Sequence, residues 1–94
     1  MDKVLVSFEW DCGRMGFVNG LFVTTTKELE AAYGKLVYFG DILGKHSDIE
    51  GTLETKDITV KTGDPVFINK LVEIIGSHNI SGYNPLNYMN EEER

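Results

Sequence analysis

Ninety-four residues, 41% of them hydrophobic, with ten aromatics and two prolines, are enough for one folded domain with a single core and exclude a disordered segment. Nine basic against fifteen acidic side chains give a formal charge of −6, which argues against nucleic acid or an anionic membrane as the principal partner and leaves basic partners open. The lone cysteine, Cys12, rules out an internal disulfide framework, and with no secretory signal or apolar span in view a reducing, cytoplasmic setting is expected.

The acidity is less concentrated along the chain than the total suggests. Removing residues 90–94 takes away three acids and one base and leaves −4. That run, Glu91-Glu92-Glu93, is expected to be a solvated, frayed end. Lys27, Lys45, Lys56, Lys61 and Lys70 interrupt the remaining acids, so mimicry of the regularly charged nucleic-acid backbone is only a secondary expectation. Asn79-Ile80-Ser81 fits the glycosylation acceptor pattern, which carries no weight without an export signal.

From the amino end, Val4, Val6, Phe8 and Trp10 alternate with polar residues and predict a strand over 3–10 with one apolar face. Two glycines in the segment 11–16 then allow a tight reversal. Residues 17–25 form either one strand or a hairpin at Asn19-Gly20. Continuity is preferred, because a turn there leaves Phe17-Val18 as a two-residue arm. Gly20 then marks a bulge or a close approach. Thr25 and Glu28 have capping-box spacing and start a short helix carrying Leu29, Ala32 and Tyr33 on one face, ended by Gly34.

Residues 36–43 read as a third strand, interrupted by Gly44-Lys45-His46-Ser47. Alternation at Ile49, Gly51 and Leu53 and at Ile58 and Val60 predicts two more strands around a polar turn at 55–57. Asp64-Pro65 is the clearest boundary, a capping acid before a first-turn proline. The helix it starts carries Ile68, Leu71, Val72 and Ile75 at i, i+3, i+4 and i+7 and closes at Gly76. From Ser77 onward turn residues predominate, and an extended tail packed by its tyrosines and leucine is expected. The predicted fold class is α+β in a single domain: a mainly antiparallel sheet of about five strands, order ββαβββα, helices packed on one face, and a C-terminal tail.

The segment Gly40 to Ser47 has the glycines and lysine of a phosphate-binding loop but not its spacing. Three residues instead of four separate the glycines, His46 stands where a magnesium-binding hydroxyl belongs, and a strand follows instead of a helix. What remains is a loop of Gly44, Lys45, His46 and Ser47, with Arg14, offering amides and cationic groups to an anion such as a nucleotide. His46, Asp48 and Glu50 alternate on one strand face about 7 Å apart, too far to close on one ion, so no metal or cofactor is expected. Cys12 and the two histidines have no spacing that indicates thiol catalysis.

Trp10 is assigned to the core, whereas Tyr83, Leu86 and Tyr88 are the candidate surface anchors for a protein partner. Without a catalytic set, the leading expectation is a noncatalytic protein-interaction module, of the kind that serves as a small inhibitor or regulator. The alternative is a domain binding an anionic small molecule through Gly44–Ser47. A monomer this small can hardly enclose a ligand pocket, so that alternative carries the expectation of a homo-oligomer.

Overall fold

A computed structural model describes residues 3–45 and 48–89. In chain order the elements are β1 (Lys3–Asp11), β2 (Phe17–Thr25), α1 (Thr26–Ala32), β3 (Leu36–Gly40), β4 (Ile49–Thr52), β5 (Ile58–Thr62), α2 (Pro65–Ile75) and β6 (Asn79–Gly82). Short 3-10 turns occupy Gly13–Met15, Thr55–Asp57 and Pro85–Tyr88. The fold class is α+β. One antiparallel sheet has the order β5-β1-β2-β6, and β3 and β4 form a separate antiparallel pair.

The strand over 17–25 is continuous, and it pairs with β1 along its whole length from Lys3↔Thr25 to Asp11↔Phe17. Gly20 marks a close approach, because a Cβ there would collide with the Tyr83 carbonyl. Opposite it sits Gly82, at φ 69°. This glycine pair lets β6, which the sequence pattern assigned to the tail, join the sheet edge through Leu21↔Ser81 and the Tyr83 N–H donated to the Asn19 carbonyl at 2.9 Å.

The helices lie on opposite faces of the large sheet, where the periodic pattern predicted one. Val4, Val6 and Phe8 of β1 face a core with Leu29 and Ala32 of α1 and with Val37, Phe39, Ile49 and Leu53 around the β3–β4 pair. Leu5 and Val23 face the other way, against Ile68 of α2. The physical reason lies in the runs Val4-Leu5-Val6 and Leu21-Phe22-Val23. Consecutive apolar residues on a strand put apolar surface on both faces, and both must be covered.

Both helix starts follow their caps. The Thr25 side chain accepts from the Glu28 N–H at 3.1 Å while the Glu28 carboxylate accepts from the Thr25 N–H at 3.3 Å. Asp64 accepts from the Val66 N–H at 3.0 Å, and Gly76 closes α2 in the left-handed conformation at φ 80°. Strand β3 ends at Gly40, at φ 77°, shorter than the predicted 36–43. Strands β4 and β5 are separate strands as expected, but they belong to different sheets. Among the described residues no helix is long and apolar enough to cross a membrane.

Candidate functional site

The site is built where the two sheets diverge. Strand β1 pairs with β2 as far as Asp11, but its pairing with β5 stops at Phe8↔Ile58. Glu9, Trp10 and Asp11 therefore run on without a strand neighbour on the β5 side, and the 55–57 turn lies beside them instead. Trp10 spans the gap. Its ring makes edge contacts with Phe8 at 5.3 Å and Phe39 at 5.5 Å, while its far edge packs so close to the β4 backbone that a Cβ on Gly51 would touch it at 3.4 Å.

Asp57 fixes the indole. Its Oδ2 accepts from Trp10 Nε1 at 2.8 Å and from the Glu54 N–H at 2.9 Å, so one carboxylate oxygen ties the 54–57 turn to the end of β1. A half-buried indole N–H without such a partner would be destabilising. A cavity of about 490 Å³ opens on this side, lined by Glu9, Trp10, Asp11, Glu54, Lys56 and Asp57 among others.

A second cavity of about 270 Å³ shares Trp10 and Asp11 and continues past Met15 to Asp48, Glu50 and Gly51. Its walls are set by local hydrogen bonds. Asp11 Oδ1 accepts from the Gly13 N–H at 2.9 Å, which tightens the reversal that carries Cys12 and Met15. Asp48, in the left-handed region at φ 50°, donates its N–H to Asp41 at 2.8 Å and accepts from the Tyr38 hydroxyl at 2.8 Å. That second bond, together with the charge of Asp48, raises the Tyr38 pKa.

The two cavities together present six carboxylates, Glu9, Asp11, Asp48, Glu50, Glu54 and Asp57, against the single ammonium of Lys56. Lys56 makes an exposed 3.7 Å ion pair with Glu54, a contact that contributes little in water. Acids spaced along the chain and interleaved with lysines are thus folded into one strongly negative hollow around an aromatic side chain. No family model, no curated protein and no solved structure matches this chain.

Cys12, in the second cavity, is half-buried, and burial first and the neighbouring charge of Asp11 second push its thiol pKa up. Both effects hold sulfur in the protonated, weakly nucleophilic form. Among the described residues no three of His, Cys, Asp and Glu converge on a metal-sized site. The anion-loop residues fare as follows. Arg14, Gly44 and Lys45 are exposed and line neither Trp10 cavity, whereas His46 and Ser47 lie outside the described residues.

Tyr83, Leu86 and Tyr88 are half-buried and pack against the main core. Tyr88 lies over Phe39 at 4.7 Å between ring centres, and Tyr83 meets the same ring at 5.7 Å. Trp10 joins this aromatic chain from its other end, yet it also lines both cavities. Its sequence signal was the alternation of β1, which assigns a face but cannot show that the covering β4 segment thins to Gly51 just there.

Proposed function

We propose that the chain is a noncatalytic protein-interaction module whose partner presents a lysine- or arginine-rich segment to the paired cavities at Trp10. The observation that carries this is the meeting of both cavities on one tryptophan ringed by six carboxylates. A basic side chain suits such a place. Its methylene stem lies along Trp10 and Met15 while its head reaches the acids, and an arginine gains a further contact with the indole. Two cavities sharing one wall accommodate successive side chains of an extended segment.

Three further points favour a protein partner with cationic chemistry. The local charge disfavours an anion next to Asp48 and Glu50, which weighs against the nucleotide alternative for this face. Tyr83 and Tyr88 pack on Phe39 and Leu86 packs against the main core, which favours Trp10 over the tail as the contact surface. The thiol of Cys12 is held protonated, which weighs against covalent chemistry in the second cavity.

The test is isothermal titration of the protein with an arginine-rich nonapeptide and with its glutamate counterpart. The arginine peptide is expected to bind, with affinity that falls as salt rises. Replacing Glu9→Lys together with Glu50→Lys should weaken it at least about tenfold, a change of about 1.4 kcal/mol. Equal binding of the two peptides, or unchanged affinity in the double variant, overturns the proposal.

A further inference from the structure

Away from the acidic hollow, α2 leaves an apolar surface uncovered. Only Ile68 of its eleven residues is buried. Val66 is 77% exposed, Phe67 49% and Ile74 72%. Phe67 and Ile74 are seven residues apart, two helical turns or about 10 Å along one stripe, with Lys70 and Leu71 between them. An amphipathic helix docked on a sheet normally turns charge to solvent. Here the outward surface carries Val66 and Ile74 beside just one cation, Lys70, and one anion, Glu73. Among the described residues neither of those two forms an ion pair within the chain.

We infer that this surface of α2 is the contact between two copies of the chain, paired antiparallel about a two-fold axis that passes between Lys70 and Leu71. The occupant follows from the order of the residues. Such an axis lies midway between Phe67 and Ile74, so each phenyl ring meets the isoleucine of the second copy, and the same contact repeats on the other side of the axis. It also sets Lys70 within about two residues of the second copy's Glu73, roughly 3 Å along the helix, well within a lysine's reach. The surface is self-complementary in the order of its apolar and charged positions, as a closed two-fold interface requires. A basic or acidic foreign segment would leave one of the two charges opposed. One eleven-residue helix presents less than the ~800 Å² per partner of a standard interface, so the dimer is concentration-dependent.

Sedimentation equilibrium of the full chain over micromolar to millimolar concentrations tests this. The expected result is a monomer–dimer equilibrium that Ile74→Glu shifts at least about tenfold toward monomer with an unchanged circular dichroism spectrum. Because Ile74 is 72% exposed, the fold does not depend on it. Lys70→Glu and Glu73→Lys should each weaken the dimer, and the chain carrying both should recover most of the wild-type association. A wild-type chain that stays monomeric throughout overturns the inference, as does a dimer insensitive to Ile74→Glu. Failure of the doubly exchanged chain to recover rejects the antiparallel pairing.

Discussion

Asp57 shows how much one side chain can hold. A single oxygen receives the Trp10 indole and the Glu54 amide, so the wall of the larger cavity and the position of its aromatic floor depend on the same atom. Asp57→Ala leaves the part-buried Trp10 indole N–H without its acceptor, releases the exposed Glu54 amide to water, and is expected to destabilise the fold by about 2 kcal/mol in urea denaturation. Asp57→Asn retains an acceptor and should lose less than half as much. Equal losses in the two variants would mean that the acceptor is not what matters. This partnership could not be read from the sequence, because the two residues are 47 positions apart and lie on separate sides of the sheet gap. Asp57 shows only as a polar turn residue.

At the level of elements, the short helix α1 depends on its cap more than on its length, since seven residues barely nucleate a helix in isolation. Glu28 closes the capping box and also accepts from the Thr24 hydroxyl at 2.7 Å. That side-chain bond is the main cause of a Glu28 pKa held below the ordinary carboxylate value, with the Thr25 bonds and the charge of His78 adding to it. A carboxylate with a depressed folded pKa stabilises the fold fully above its unfolded pKa, about 4.3. The contribution is lost as pH falls through the lower folded value. Melting temperatures measured from pH 6 to pH 3 should therefore drop in the wild type and drop less steeply in Glu28→Gln. Parallel pH profiles would show that Glu28 is not the linked group.

Both helix starts, the hairpin of β1 and β2 and the continuity of β2 were legible because each depends on neighbours in sequence: a cap, an alternation, a turn. The placement of the helices on opposite faces was not predicted, because the alternation of β1 draws attention to one face, whereas Leu5 and Val23, within unbroken apolar runs, call for cover on the second. Strand β6 was hidden for a different reason. Its four residues have no periodic pattern, and it exists because Gly20 and Gly82 allow two backbones to meet.

For the whole molecule, the decisive property is where the charge goes. Of fifteen acids dispersed among lysines along the chain, six stand with one ammonium around Trp10 once β1, β4 and the 54–57 turn are brought together. Composition argued against nucleic acid and anionic membrane and left basic partners open. Only the fold concentrates the acids beside an aromatic wall, the place proposed for a partner's cation and its aliphatic stem, and it does so at the opposite end of β1 from Leu5, which packs under α2. The acidic hollow and the apolar helix surface are thus separate, and a dimer through α2 leaves the hollows free to engage a basic chain at two points.

Because Trp10 is the sole tryptophan, its indole N–H gives one resolved signal in a nitrogen–proton correlation spectrum. Titration with the arginine-rich nonapeptide at low salt, followed by that signal and by the backbone amides, is the most direct measurement. The predicted result is a saturable shift of the Trp10 indole together with the amides of Glu9, Asp11, Glu50 and Glu54, reversed by added salt. A peptide that leaves the indole signal in place while shifting amides elsewhere, or shifts nothing, would contradict the assignment of the Trp10 cavities as the binding site.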